Sequence, residues 1–272
     1  MLPRRSDYPR GVTKVLATDL DGTLLGSDGT VSGRTRAALE AAWASGIETV
    51  FVTARPPRWL DELVDHVGDH GVAICGNGAF VYDVPTRTVV TERGFTTEHL
   101  VPLVADLRAA LPDIGFAAER ADGMGRELGF VDPYQEHYEL LDDSSTTSHP
   151  VGKLLARSAS VDAETFHRVV ADVVGERAEI GFSGAVGLAE MTAPGVTKAS
   201  GLAAWCAERG LGPADVVACG DMPNDLPMLA WAGHGVAVAN AHTDVLAAAD
   251  EIVASNDEHG VASVLERLAA AR

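Results

Sequence analysis

Cysteine is scarce in this chain of 272 residues, and so are basic side chains: there are three cysteines, and 21 Lys plus Arg stand against 39 Asp plus Glu, for a formal charge of −18. Cys75, Cys206 and Cys219 lie far apart in apolar or glycine-flanked runs and form no C-x-x-C pair. That excludes a disulfide framework and predicts reduced, buried thiols. So acidic a chain has no general basic face for a phosphate backbone, which excludes nucleic acid as a general partner. No apolar stretch approaches the roughly 18 residues of a membrane span. The opening MLPRRSDYPRGVTK carries arginines but neither an apolar h-region nor a small-residue cleavage site, so cytoplasm is the expected compartment. Internal repeats are lacking too, since the GVTK found at 11–14 and again at 195–198 is too short to count.

What is present is an ordinary globular composition, 46% hydrophobic and 22% charged, long enough for one large domain or two modest ones. Strand-length apolar runs alternate with Ala-rich stretches of helix length, which predicts an α/β fold, a Rossmann-like doubly wound parallel sheet wrapped by helices. Residues 14–19 (KVLATD) read as a buried strand ending in the turn dipeptide Asp21-Gly22. A helix over 32–45 follows, with Ser32 as N-cap, Ala38, Leu39, Ala42 and Trp43 on one face, and Gly46 as stop. The 48–54 run is a second strand, and Pro56-Pro57 opens a helix to about residue 67. Residues 72–75, Gly76-Asn77-Gly78 and 79–82 read as strand, turn and hairpin.

After residue 83 the texture changes to short strands (88–91, 114–118, 151–157, 178–182), two helices (97–110, 162–174) and a polar loop at 142–149. This predicts an α/β domain of 84–186 inserted into a first unit of 1–83 and 187–272. From 186 the first texture returns, with strands at 186–191, 215–219, 235–239 and 251–254 and helices at 197–209, 224–231 and 260–271.

Four segments sit where a strand runs out, the edge at which open α/β sheets bind ligands: Asp19-Leu20-Asp21-Gly22-Thr23, Thr53-Ala54-Arg55, Lys198, and Gly220-Asp221-Met222-Pro223-Asn224-Asp225. On extended backbone Asp19 and Asp21 share a side while Leu20 points inward. Asp221 adds a third carboxylate, and hard oxygens without Cys or His suit Mg²⁺ better than zinc. Around such an ion, the Thr53 hydroxyl and the Lys198 ammonium can take the remaining charge of a transferring phosphoryl group. Asp19 can attack phosphorus as a carboxylate nucleophile. Asp21, held near another acid, is expected to favour its protonated form, to protonate the leaving alkoxide and then to deprotonate water.

Taken singly, each residue has a bland reading. An Asp-x-Asp-Gly is often a surface turn, Thr53 is an ordinary β-branched strand residue, and Asp225 is an early-helix acid that favours the dipole. Lys198 in a helix's first turn is disfavoured by that dipole, which speaks for a functional lysine. His66 and His70, four apart, have no third ligand and read as surface residues. Gly76-Asn77-Gly78 lacks the third glycine of a dinucleotide fingerprint, and Gly181-Phe182-Ser183-Gly184 has the wrong spacing for a nucleophile elbow.

The four segments in this order, DLDGTLL, FVTARP, Lys198 after MTAPGVT, and GDMPNDLPML, resemble the motifs of the haloacid dehalogenase (HAD) superfamily, in the manner of its Cof-type sugar-phosphatase branch. ICGNGAFVYD at 74–83 and SNDEHGVA at 255–262 extend the resemblance, which covers roughly 14–83 and 186–265; the middle matches only in position and size, as a C2-type cap. The resemblance implies Asp19 as nucleophile and metal ligand, Asp21 as general acid/base with its backbone carbonyl on the metal, and Asp221 as metal ligand. It implies Thr53 and Lys198 on the phosphate, the backbone N–H groups of Leu20 and Ala54 in the phosphate cradle, Asn224 on phosphate or metal-bound water, and Asp225 in support. Arg55 points toward the cap as a substrate-choosing residue, and Pro223 and the doubled Pro56-Pro57 are loop variants.

The expected activity is Mg²⁺-dependent hydrolysis of a small phosphorylated metabolite, a sugar phosphate, through an aspartyl phosphate. A phosphomutase of the same superfamily and a non-catalytic phosphosugar-binding protein remain open; a receiver-type signalling domain would be about half this length. Glu119, Arg120, Met124, Arg126 and Tyr134 are the cap residues offered for the substrate pocket. No nucleic acid or membrane partner is expected, and nothing in the sequence speaks to the oligomeric state.

Overall fold

Val15–Thr18 (β1) buries all four of its residues, which is the pattern of a central strand covered on both faces. The computed structural model describes residues 13–61, 71–131, 138–142, 146–147, 150–181 and 186–272. On one side β1 pairs in parallel with Glu48–Val52 (β2), which pairs with Val72–Cys75 (β3). On the other it pairs in parallel with Val216–Gly220 (β12), followed by His234–Val238 (β13) and Glu251–Val253 (β14). Phe80–Asp83 (β4) and Thr88–Glu92 (β5) add two antiparallel strands, giving the order β14-β13-β12-β1-β2-β3-β4-β5. The strand order reverses between β1 and β12, so the crevice at their carboxyl ends is the place where such a sheet binds ligands.

Gly33–Ala44 (α1) begins where the Ser32 hydroxyl accepts the Thr35 N–H, and it packs against the closing helix. Ala38, Leu39 and Ala42 are buried as expected, whereas Trp43 is 46% exposed and lies off the apolar face. Of the helix expected after Pro56-Pro57, the described residues hold a 3₁₀ turn, Pro57–Trp59; residues 62–70, with His66 and His70, lie outside the described residues.

A second sheet has the order β10-β11-β9-β6-β7-β8. Its strands are Gly115–Arg120 (β6), Gly123–Glu127 (β7), Glu139–Leu141 (β8), Lys153–Arg157 (β9), Glu179–Gly181 (β10) and Ala189–Thr192 (β11). Helices Thr97–Ala110 (α2) and Ala163–Val174 (α3) pack against each other; the second is capped by Asp162, whose carboxylate accepts the Thr165 N–H. The chain then supplies Lys198–Ala207 (α4), Leu226–Trp231 (α5), Thr243–Ala248 (α6) and Gly260–Ala270 (α7) to the first sheet. This is the expected α/β architecture, a doubly wound sheet with an inserted α/β unit.

Pairing corrects two strand assignments. The 88–91 strand, expected in the insertion, is the edge of the first sheet, because β5 hydrogen-bonds to β4. The 186–191 strand, expected in the core, is β11, which lies between β10 and β9 in the second sheet. Apolar texture reports that a strand is buried and is silent about the sheet that buries it. We therefore propose that the insertion runs from about residue 93 to 192 in place of 84–186. β7, β8 and α6 were not anticipated: Gly123, Gly125 and Arg126 break the alternation of β7, and the other two span three and six residues. Part of the polar loop at 142–149 lies outside the described residues. All three cysteines are free and buried. Burial pushes the Cys206 thiol up to about 11 and Cys219 to about 12. Among the described residues no helix is long and apolar enough to cross a membrane.

Candidate active site

β1 gives out at Asp19, which is still extended (φ −64°, ψ 162°) and 5% exposed. The next five residues, Leu20–Leu24, form one wide turn, non-helical at Asp21 and Gly22 and closed by the Leu25 N–H on the Leu20 carbonyl (2.9 Å), that drops Leu20 and Leu24 into the core. Gly22 lies at φ +79°, and a Cβ there would stand 2.5 Å from Asp221 Oδ2, so both conformation and space demand glycine. The parallel register Thr18↔Cys219 and the Asp19 N–H bond to the Cys219 carbonyl (3.0 Å) set the end of β12 beside the end of β1. Asp221 follows directly, and its Oδ1 accepts the Thr23 hydroxyl at 2.7 Å. A 3₁₀ turn, Pro223–Asp225, brings Asp225 back under the strand end. There its Oδ2 accepts the backbone N–H groups of Asp221 (3.1 Å) and Met222 (3.0 Å).

Lys198 is the first residue of α4, fixed by a capping box between Thr197 and Ser200. Its Nζ donates to Asp19 Oδ1 at 2.6 Å and to Asp225 Oδ1 at 2.7 Å, with all three side chains no more than 7% exposed. One oxygen each of Asp19, Asp221 and Asp225 can be chosen so that all lie within 4.8 Å of one another. Burial raises the Asp19 carboxyl well above the usual range against the pull of Lys198, and burial likewise raises Asp221 against its bond from Thr23. Burial alone would lower Lys198; the Asp19 and Asp225 carboxylates reverse that and hold it charged. Three carboxylates against one ammonium leave uncompensated negative charge in a buried place, which favours a cation. The donors are hard oxygens, and the close approach of Gly22 to Asp221 keeps side-chain carbon out of the space, so the residues fit a divalent ion of the magnesium type.

Thr53 is buried one residue beyond β2, and its Oγ1 accepts the Arg55 N–H at 3.0 Å. Three consecutive carbonyls of this loop are tied down. Thr53 O accepts the Asn77 N–H (3.1 Å), Ala54 O accepts the Lys153 ammonium (2.9 Å), and Arg55 O accepts the Gly76 N–H (2.8 Å). Asn77 holds a left-handed conformation (φ +56°), and Gly78 lies so close to the Thr197 carbonyl that a Cβ would meet it at 2.1 Å. The Gly76-Asn77-Gly78 turn thus locks the Thr53 loop to the N-terminus of the helix that carries Lys198.

The structure gathers Asp19, Asp221, Asp225 and Lys198, and it corrects the expectation for Asp21. That carboxylate is 57% exposed and takes a two-pronged ion pair from Arg55 (2.8 and 2.5 Å) instead of lying beside another acid. The turn after Asp19 carries it out, and the arginine meets it there. Arg55, expected to point toward the cap, is engaged on the same side as Asp21. Leu20 is fully buried, leaving only its backbone for a ligand, and the Asn224 Oδ1 is buried with no hydrogen-bond partner.

Among the cap residues offered for the pocket, Glu119 is 2% exposed and ion-pairs with Arg58 of the first unit, whose Nη2 also reaches Met124 Sδ at 3.6 Å. Arg120 turns instead to Glu139 (3.2 Å) and Arg126 to the Tyr138 hydroxyl and ring, while Tyr134 lies outside the described residues. Residues not anticipated include Thr23, Lys153, Glu190, and Asn240, whose Nδ2 donates to the Gly22 carbonyl at 2.7 Å. Thr23 had a signal in its place directly after the turn glycine. Asn256, within the SNDEHGVA segment, is bonded to Asn240 Oδ1 (3.0 Å) and the Leu25 carbonyl (2.9 Å), so that segment buttresses the wide turn.

Comparison with known proteins agrees with this geometry. The pattern of the haloacid dehalogenase-like hydrolases matches residues 16–265. The candidate phosphatase YxeH of Bacillus subtilis (strain 168) is 32% identical over 276 aligned residues, spanning 95% of this chain and 99% of YxeH. The HMP-PP phosphatase of Cronobacter sakazakii is 29% identical over 85% of this chain and 86% of its own. Among solved structures, the HAD-superfamily phosphatase BT1666 from Bacteroides thetaiotaomicron superposes with a TM-score of 0.80 at 25% identity, over 98% of both chains. The HAD subclass IIB sugar phosphatase BT4131 does so at 0.75 and 25%, over 94% of this chain and 98% of its own.

Proposed function

This chain belongs to the haloacid dehalogenase-like hydrolase family and is a phosphatase, and from that premise we propose that it hydrolyses a sugar phosphate with Mg²⁺ through a phosphoaspartate on Asp19. The observation that carries the reading is the buried Lys198 ammonium shared by Asp19 and Asp225 beside Asp221. One point supports a small phosphorylated sugar: the similar BT4131 is named a sugar phosphatase. The three free thiols support a reducing compartment.

Asp19 and Asp221, with the Asp21 backbone carbonyl, would hold the Mg²⁺, which when bound neutralises the carboxylates and the phosphate oxygens. Lys198 holds Asp19 in place, leaving Oδ2 to attack phosphorus while the ester P–O bond breaks. Asp21 exchanges its Arg55 ion pair for a proton from water and gives that proton to the departing alkoxide. A water molecule, losing a proton to Asp21, then attacks the phosphoaspartate phosphorus and returns Asp19 with release of inorganic phosphate. Arg55 sets the direction of Asp21 in the resting site, and the 57% exposure of that carboxylate lets it exchange protons with water. Thr53 Oγ1 and the Leu20 and Ala54 N–H groups receive the phosphoryl oxygens, with Asn224 beside them.

The test is phosphate release from a panel of sugar and nucleotide monophosphates, with Mg²⁺ or EDTA, for the wild type and Asp19→Asn. Release that needs both the metal and Asp19 is expected. Release by a folded Asp19→Asn protein at the wild-type rate would overturn the nucleophile, and an isomeric sugar phosphate without free phosphate would turn the assignment to a mutase.

A further inference from the structure

The second sheet sends one ammonium across to the phosphate loop. Glu119 on β6 and Lys153 on β9 are directly opposite in the antiparallel register. Glu190 on β11 stands diagonally from Lys153, since the register pairs Leu155 with Glu190 and Lys153 with Thr192. The three therefore share one face of three adjacent strands. Lys153 and Glu190 are 5% and 4% exposed, with Nζ to Oε2 at 2.8 Å. A buried pair of this kind is a weak source of stability, because desolvation offsets the attraction. Its position has another use, for the same Nζ donates to the Ala54 carbonyl at 2.9 Å.

In a planar trans peptide the C=O and the following N–H point in opposite directions. Fixing the Ala54 carbonyl toward Lys153 therefore fixes the Arg55 N–H away from it, and that N–H donates to Thr53 Oγ1 at 3.0 Å. A hydroxyl that accepts one bond in a set direction has its own O–H confined to the remaining directions. We propose that Lys153, held by Glu190, is a positioning residue that acts through the Ala54–Arg55 peptide to aim the Thr53 hydroxyl at the phosphoryl group when the inserted unit is docked. The inference rests on the reading above that Thr53 receives phosphoryl oxygen. It joins the insertion to the chemistry through a main-chain peptide, independently of any contact with the leaving group.

The test is a double-mutant cycle on the full chain with Mg²⁺, read as kcat and KM on p-nitrophenyl phosphate and on a hexose phosphate. Lys153→Met combined with Glu190→Met removes both members of the pair, so that no charge is stranded and the fold survives. This paired variant is expected to lose about tenfold in kcat on both substrates, with KM little changed. In a Thr53→Val background, itself down on the order of a hundredfold, the same pair should cost less than about twofold. Lys153→Arg, which keeps a charged donor, should recover most of the rate. Equal losses in both backgrounds, or a loss confined to the hexose phosphate, would overturn the proposal while leaving the phosphoryl site in place. A fully active Thr53→Val would instead remove the reading on which the proposal stands.

Discussion

The end of the first sheet and the facing side of the second are both crowded with buried charge, yet they are balanced differently. At the strand ends of β1 and β12, Asp19, Asp221 and Asp225 share one ammonium, Lys198, and burial pushes two of the carboxyls upward. On the second sheet each acid has its own cation: Glu190 has Lys153 and Glu119 has Arg58. A cluster left with excess negative charge is completed by a bound cation, whereas a balanced set is complete within the protein and is free to transmit position. Binding chemistry and positioning chemistry are thus separable by counting charges at each place.

That contrast can be broken by substitution. The largest effect belongs to Asp19→Asn, expected to lower kcat by on the order of ten-thousandfold with the thermal midpoint retained; phosphate-release assays beside thermal melts check both. Next is Glu190→Ala, which strands the Lys153 ammonium in the balanced set and should cost about 3–5 kcal/mol in denaturant unfolding. The paired Lys153→Met, Glu190→Met chain should lie close to wild type in the same measurement.

Metal then distinguishes the two clusters. Mg²⁺ at a hundred times its dissociation constant should stabilise the wild type by about 2.7 kcal/mol, and Asp221→Asn should lose this gain while Lys153→Met, Glu190→Met keeps it. The pH dependence sharpens the point. Burial raises the Asp221 carboxyl, so its contribution is fully present below its unfolded pKa and is lost as pH rises through the folded one. Without metal, the wild type should therefore fall behind Asp221→Asn in thermal midpoint as pH climbs above the ordinary aspartate range. Smallest is Ser32→Ala, remote from both clusters, which should cost about 1 kcal/mol through the lost α1 cap and leave turnover and metal response unchanged.

Much of the first cluster was legible because its residues are signalled locally. A buried strand running into Asp-x-Asp-Gly, or into Gly-Asp with an Asn-Asp behind it, states its own geometry within a few residues. Asp21 was misplaced because alternation holds only on extended backbone, and the chain coils at Leu20. Lys153 and Glu190 carry a weaker signal, a charge inside an otherwise apolar strand. Their meaning depends on a partner 37 residues away and on which sheet each strand joins. The sheet memberships of β5 and β11 were hidden for the same reason, since periodicity shows burial and not neighbours.

The wide separation in sequence between the partners of the first cluster also has a consequence for synthesis. Asp19 and Lys198 are 179 positions apart, and Thr23 and Asp221 are 198 apart. At roughly 5–20 residues per second, a ribosome adds Lys198 on the order of 9 to 36 s after Asp19. Until β12 follows, β1 has β2 on one side and an unpaired edge on the other, a surface open to wrong pairing. The strand that closes this edge, β12, leads straight into Asp221. A nascent chain therefore gains its buried carboxylate cluster in the same step that removes its exposed edge, and a product truncated before β12 lacks the cluster and keeps the edge.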